Sequence, residues 1–328
     1  MLAMNVELHN VTELLPVNGG QLLCRLPRDV AERLDTGTRD SAAIASTGCE
    51  IRFRLDGGGA SITLGTLDKG PFMVRLMYGS FEAGWTHTSY PINCMPTTLT
   101  FQSSVYELEL LRVTREKGLP YSPLMLRVLL PGTPVILYDT FQTRPPEKGD
   151  SPSRTILFYG SSITHGSLAT HPNTSWPSLV ANALKCDTLN LGMAGRCRME
   201  SDMARHIAGR NDWDCAMLEL GVNVAGEFSE KKFRRRVSEF LHIMKTAGRP
   251  VYVTDIFGKL SEDPSQLPKY RDIVCEESLF PYVPGPGLFD DPSLLSEDLV
   301  HPSNAGHQAI AQAILREPSL LSCLKQQA

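Results

Sequence analysis

Two short stretches of this chain hold side chains whose types and spacing could do nucleophilic chemistry. Asp298-Leu-Val-His301 places an acid three residues before a histidine. Far upstream, Gly160-Ser-Ser162-Ile-Thr164 places serines just past an apolar run, Thr155-Ile-Leu-Phe-Tyr159, that reads as a buried strand. A serine hydroxyl is a poor nucleophile until a base takes its proton, and the base needs a third group to hold its tautomer. An Asp and a His three apart on one loop can supply orienter and base as a unit. A serine at a strand-to-helix elbow can supply the nucleophile. Each fragment also has a plainer reading, with Asp298 as a helix cap and His301 as a surface residue.

Two further fragments add weight to the first pair. Asn190-Leu-Gly192-Met-Ala-Gly195-Arg196 closes a second apolar run, and Leu218-Glu-Leu-Gly221-Val-Asn223 closes a third. All four fragments fall where a parallel α/β sheet presents the carboxyl ends of its strands, which is where such sheets bind ligands. In order, Gly-x-Ser, Gly, Gly-x-Asn and Asp-x-x-His resemble the SGNH (GDSL-type) hydrolase family, over about residues 154–316.

The resemblance implies a role for each matched residue. Ser162 matches the nucleophile, and its backbone N–H a first oxyanion donor. Gly195 matches a second donor through its N–H, and Asn223 a third through its side-chain amide. His301 matches the general base and Asp298 its partner. Donors pre-aimed at a developing oxyanion are worth roughly 3 kcal/mol each. Two departures are visible: Ser161 stands where the family often has Asp, and Val224 stands where Asp often follows the Asn. Neither position carries the proton transfer. The implied activity is a serine esterase that works through an acyl-serine intermediate. Its implied substrate is a short-chain ester, typically acetyl, of a carbohydrate or similar polar alcohol. Acyl transfer to a non-water acceptor would use the same residues, and an inactive binding module is a third reading.

The residues themselves leave alternatives. Gly195 reads also as a turn glycine, and Asn223 as a cap or a residue bonded to its own turn. Glu297 competes with Asp298 but precedes the histidine by four residues. His165 could line a pocket, whereas His307 and Trp176 read as structural members of helices. His301 and His307 have no nearby third ligand at a zinc spacing, so no metal is invoked, and no cofactor. The Gly/Ser-rich elbow lacks the Gly-Lys-Ser/Thr ending of a phosphate loop.

The whole chain bounds the possibilities. Its 328 residues suffice for two domains or one large one. With 32 basic against 36 acidic residues it has no excess with which to neutralise phosphates, which argues against a nucleic-acid partner. The basic run Lys231-Lys-Phe-Arg-Arg-Arg236 reads as the solvated face of a helix that buries Phe233, Val237, Phe240, Leu241 and Met244. Eight cysteines show no Cys-x-x-Cys pair, and several sit inside apolar runs, which suggests free thiols in a reducing compartment. The start, Met1-Leu-Ala-Met-Asn-Val-Glu7, lacks a basic stretch followed by an apolar one, and no run approaches bilayer length. These features predict a soluble, cytoplasmic protein acting on a small molecule without a membrane partner.

The elements that would position these residues can be read in two parts. Thr143-Arg-Pro-Pro-Glu-Lys-Gly-Asp-Ser-Pro-Ser153 reads as a linker. Before it, alternating runs predict short strands at 50–55, 60–64, 72–78, 97–101, 106–110, 125–130 and 134–138, hence an all-β, jelly-roll-like sandwich domain over residues 1–145. After it, strand patterns at 155–160, 186–191, 215–220 and 250–256, with a fifth near 281–289, alternate with helix patterns near 175–185, 200–209, 228–247 and 303–316. That rhythm predicts a parallel sheet flanked by helices, and with the resemblance a three-layer α/β/α domain over residues 154–328.

Overall fold

A computed structural model describes residues 1–35, 38, 42–84, 88–258 and 264–318. The chain divides into two units. The first comprises Met1–Arg28, Ala43–Arg154 and Lys185–Asp187, the second Asp29–Ala42, Thr155–Leu184 and Thr188–Ala328. Asp29–Ala42 therefore groups with the second unit, although it lies early in the chain.

The first unit is β-rich. Its strands are β1 (Leu2–Ala3), β2 (Val6–His9), β3 (Glu13–Val17), β4 (Gly20–Cys24), β5 (Glu50–Leu55), β6 (Ala60–Thr66), β7 (Phe72–Tyr78), β8 (Phe81–Glu82), β9 (Ser89–Ile92), β10 (Thr97–Phe101), β11 (Leu126–Leu129), β12 (Val135–Phe141) and β13 (Thr143–Arg144). One antiparallel sheet runs β1-β2-β5-β11-β7-β8, with β13 on β5 and β9 on β7; the other runs β10-β6-β12-β4-β3. Because side chains alternate along a strand, each sheet turns one apolar face inward. Ile51, Phe53 and Val128 from the first sheet share a core with Ile62, Leu64 and Leu137 from the second. Phe53 of β5 meets Phe101 of β10 edge-on, with ring centroids 5.5 Å apart. The result is a β-sandwich.

One predicted strand is a helix. Tyr106-Glu-Leu-Glu-Leu110 alternates like a strand, yet Glu107–Lys117 is helical. The physical cause lies in the longer window. Glu, Leu and Arg are good helix formers. Glu107 and Glu109 sit in the first turn and Arg115 and Lys117 in the last, which suits the helix dipole. Arg112 pairs with Glu109 and Glu116 one turn away on either side, and Gly118 closes the helix at φ 57°. The helix buries none of its residues, so no sandwich face imposed a strand period on it. The Pro- and charge-rich stretch at 143–153 is tied to the first unit. Arg144 of β13 pairs with Arg54 of β5, and Arg54 forks onto the Asp150 carboxylate at 2.6 and 2.7 Å.

In the second unit the strands are β14 (Thr155–Gly160), β15 (Asp187–Gly192), β16 (Cys215–Glu219), β17 (Val251–Thr254) and β18 (Tyr282–Val283), in the sheet order β15-β14-β16-β17-β18. β14, β16, β17 and β18 pair in parallel. The helices used below are α3 (Ser162–His165), α4 (Trp176–Ala183), α5 (Ser201–Gly209), α6 (Glu230–Lys245), α7 (Leu267–Glu277), α8 (Gly285–Leu288) and α9 (Asn304–Arg316), after α1 (Arg28–Ala31) and α2 (Glu107–Lys117). Two adjacent residues of β14 show helices on both faces of the sheet. Phe158 meets Trp176 of α4 edge-on at 5.1 Å, while Tyr159 stacks on Phe240 of α6 at 5.0 Å. Neighbouring residues of a strand point to opposite faces. Ile156 to Tyr159 are all buried, as expected of a strand covered on both sides. The expected strand near 281–289 shrinks to Tyr282–Val283 followed by the helical turn α8, where Gly285-Pro286-Gly287 cannot continue a ladder. α7, which buries Leu267, Tyr270, Ile273 and Val274, lies outside the helix patterns expected from sequence. Among the described residues no helix is long and apolar enough to cross a membrane. The seven described cysteines are free thiols, and Cys323 lies outside the described residues.

Candidate active site

The strand β14 ends at Gly160, and the chain turns at once into the four-residue helix α3, whose first residue is Ser162. Ser161 is the N-cap. Its Oγ accepts from the Ile163 N–H at 3.1 Å, and Gly166 ends the turn in the left-handed region at φ 90°. This tight turn sets Ser162 at the carboxyl end of the sheet.

His301 and Asp298 arrive from the loop before α9. That helix starts with Ser303 as N-cap, whose hydroxyl accepts from the Gly306 N–H. Asp298 Oδ1 accepts from the N–H groups of Val300 and His301, each at 3.0 Å, and so fixes the loop. Its other oxygen, Oδ2, lies 2.6 Å from His301 Nδ1, and His301 Nε2 lies 2.7 Å from Ser162 Oγ. Burial works against the Asp298 charge, but the hydrogen bonds from the His301 ring and from the two backbone N–H groups outweigh it and hold the carboxyl down at about 2. The structure thus brings Ser162, His301 and Asp298 into one line of short contacts. In this arrangement Asp298 accepts from Nδ1–H, which leaves Nε2 free to take the Ser162 proton. Glu297 is exposed, and the carboxylate that meets His301 is that of Asp298.

Gly195 and Asn223 sit on the loops after β15 and β16. Gly195 is exposed at φ 67°, in a turn closed by the Arg196 N–H to Met193 carbonyl bond. A Cβ placed on Gly195 would meet nothing within 4 Å, so the glycine answers a dihedral requirement and not a crowded one. Gly192 is the reverse case: a Cβ there would lie 2.2 Å from the His165 backbone N. Asn223 Oδ1 accepts from the Cys197 N–H at 3.0 Å. That bond orients the amide and leaves its Nδ2 to donate elsewhere, and it ties the Asn223 turn to the Gly195 loop.

Several residues that hold this geometry were not assigned a role from sequence. Buried Asn190 donates to the Thr164 carbonyl at 2.9 Å and accepts from the Gly192 N–H at 2.8 Å, which joins the end of β15 to α3. Glu219, at the end of β16, accepts from Ser161 and Thr164. From the early segment Asp29–Ala42, Thr38 donates to Glu200 Oε1 at 2.9 Å and Arg198 donates to Asp35 at 3.0 Å. Arg198 also pairs with Glu227 beyond Asn223. Thr38 and Asp35 carry no sequence signal, because nothing local shows that they meet a loop about 160 residues away. Glu219 did carry one, since it is a lone acid in the apolar run Cys215-Ala-Met-Leu-Glu-Leu220 and a buried acid must find donors.

The remaining candidates fall into the framework. His307 is buried on α9. Its Nδ1 accepts from the Trp176 N–H at 3.4 Å and its Nε2 faces the Ser167 carbonyl at 3.5 Å, an arrangement that needs the neutral ring. Burial accordingly lowers it to about 4. Trp176 is fully buried against Phe158 and Phe257. His165 Nδ1 faces the Gly192 carbonyl at 3.3 Å.

Residues 153–260 match the profile of the GDSL-like lipase/acylhydrolase family. A search of curated proteins found no match. Among solved structures, the chain is similar to a salicylyl-acyltransferase from a tetracycline biosynthetic pathway, at 16% identity and a TM-score of 0.75, covering 97% of this chain and 95% of that one. It is also similar to a family two carbohydrate esterase from Cellvibrio japonicus, at 11% identity and a TM-score of 0.60, covering 99% of this chain and 97% of that one. At these identities the likeness is one of fold.

Proposed function

From a chain whose residues 153–260 match the GDSL-like lipase/acylhydrolase family, we propose a serine ester hydrolase with Ser162 as nucleophile, His301 as general base and Asp298 as its orienting partner. The observation that carries this reading is the unbroken relay from Asp298 Oδ2 through His301 to Ser162 Oγ, with contacts of 2.6 and 2.7 Å. His301 takes the hydroxyl proton as Ser162 Oγ attacks the ester carbonyl. The N–H groups of Ser162 and Gly195 and the Asn223 amide stabilise the oxyanion. His301 then returns the proton to the leaving alcohol, and water cleaves the acyl-Ser162 by the same route. The finer reading is a short acyl group, such as acetyl, on a carbohydrate or similar polar alcohol. The loop that carries Gly195 also exposes Arg196, a donor suited to a hydroxyl-rich alcohol.

Treatment with a serine-directed phosphonate followed by mass mapping tests the reading. Label is expected on Ser162, with loss of activity on a chromogenic acetyl ester. Label on Ser161, or activity lost without label, would refute it. A panel of acetylated sugars and longer acyl esters tests the substrate, and added alcohol acceptors distinguish hydrolysis from acyl transfer.

A further inference from the structure

Outside the residues assigned above, the chemistry-bearing group most tightly built into the site is a buried acid. Glu219 is the last residue of β16 and is fully buried. Its Oε2 gathers three donors: the Ser161 N–H at 2.7 Å, the Ser161 hydroxyl at 2.7 Å and the Thr164 hydroxyl at 3.0 Å. These donors lie one residue before Ser162 and two after it. The same Ser161 Oγ accepts from the Ile163 N–H, so the cap of α3 is oriented by the acid. The elbow is shaped around this carboxylate, because a Cβ on Gly160 would come within 2.5 Å of Glu219 Oε2. Through its backbone carbonyl Glu219 also accepts from Cys197 Sγ at 3.7 Å, and the Cys197 N–H holds Asn223. One residue therefore touches the nucleophile turn with its side chain and the Gly195 loop with its backbone. An acid out of water persists where donors replace its hydration, and here those donors belong to the turn that presents Ser162.

We propose that Glu219 is a positioning residue for the nucleophile, acting through Ser161 and Thr164 to hold Ser162 Oγ in line with His301 and in register with Gly195 and Asn223. The inference rests on Ser162 being the nucleophile. Glu219→Gln keeps the size but offers the three donors a neutral amide oxygen, which weakens every charge-assisted bond to Oε2, and it puts an NH2 group in the place of Oε1. Displacement of the nucleophile by a fraction of an ångström is expected to lower kcat on 4-nitrophenyl acetate by about a hundredfold, with KM within about threefold. The rate of phosphonate labelling at Ser162 should fall in parallel. The polarity can be reversed by adding Ser161→Asp. In Ser161→Asp/Glu219→Gln a carboxylate at 161 accepts from the amide and can still cap the Ile163 N–H. This double variant is expected to recover at least about tenfold over Glu219→Gln. Ser161→Asp alone, which crowds two carboxylates, should be impaired.

A folded Glu219→Gln variant with kcat close to the parent overturns the inference, as does a double variant no better than Glu219→Gln. If Glu219→Gln does not fold, Ser161→Ala and Thr164→Val decide, since each removes a donor to Oε2. Lowered kcat at retained KM supports the proposal, and unchanged kcat in both overturns it. A parent that neither cleaves the ester nor takes label at Ser162 refutes the hydrolase reading itself. An active, labelled parent with an unaffected Glu219→Gln refutes this inference alone.

Discussion

At Ser162 and His301 the contacts are within the range of strong hydrogen bonds, and the acid that completes the line is ionised by its surroundings. Asp298, at about 2, lies below the unfolded carboxylate value of about 3.9. A group depressed in the folded state stabilises it above the unfolded value, and loses that contribution as pH falls through the folded one. Asp298 is thus charged throughout the range in which an esterase would be assayed, and no inflection from it is expected above about pH 4. Asp298→Asn should leave the fold intact but favour the wrong His301 tautomer, because an amide can donate where the carboxylate only accepts. The expected loss in kcat is about a thousandfold or more, measured across about pH 5 to 9. A near-normal rate would exclude Asp298 from the relay and point to Glu297. For Asn223→Ala, kcat is expected to fall about a hundredfold while KM changes little, since an oxyanion donor acts in the transition state. A change confined to KM would mean that Asn223 only seats the substrate.

Short turns between strands and helices decide how well these residues are aimed, and two glycines of one loop separate the causes. At Gly192 a Cβ would press to 2.2 Å from the backbone of α3. Gly192→Ala is therefore expected to cost about 1–3 kcal/mol of stability and to displace the elbow. At Gly195 the space is open and only φ 67° resists a side chain. Gly195→Ala should cost about 1–2 kcal/mol, with a larger fraction of its effect appearing in kcat as the N–H is re-aimed. Thermal melts and kinetics on the same ester check both, and equal melting losses with equal rates would remove the distinction. At this scale the strand and helix periods were legible in several elements with one buried face, but not in β2, β4 or α7, which also bury one. Ile51 and Phe53 alternate toward a core, and Phe233, Val237, Phe240, Leu241 and Met244 recur at helical spacing and are buried. Tyr106–Leu110 misled because α2 buries no residue fully, so its alternation carries no burial information; Leu108 is 79% exposed.

Across the whole chain, Asp29–Ala42 has the least expected place. It groups with the second unit, where Thr38 and Asp35 bond Glu200 and Arg198 on the loop that carries Gly195. A chain shortened to begin near Ser151 would lose these contacts together with the sandwich. Its activity on a small activated ester is expected to fall, along with its melting temperature. Restoring neither by adding Asp29–Ala42 back as a separate peptide would be uninformative, so the decisive measurement is Thr38→Val with Asp35→Ala in the full chain. A severalfold lower kcat with the sandwich intact is the expected result. Full activity in that variant would show that the segment does not support the Gly195 loop.

The candidate chemistry was legible in sequence because its reporters are local. Asp298 and His301 are three apart, Ser162 follows an apolar run, and Gly195 and Asn223 each end one. Strand ends, turns and caps are written in neighbouring residues, and a parallel sheet gathers its strand ends on one edge. What only the tertiary structure decided is which polar groups meet across long separations. Ser161 and Thr164 find Glu219 more than 50 residues on, and Thr38 finds Glu200 more than 160 residues on. Such pairs leave no periodic trace, since a hydrogen bond constrains two atoms and not the spacing of the residues between them. In the proposal above it is Glu219 that holds the turn of Ser162, so the sequence marks the candidate nucleophile without showing what holds it.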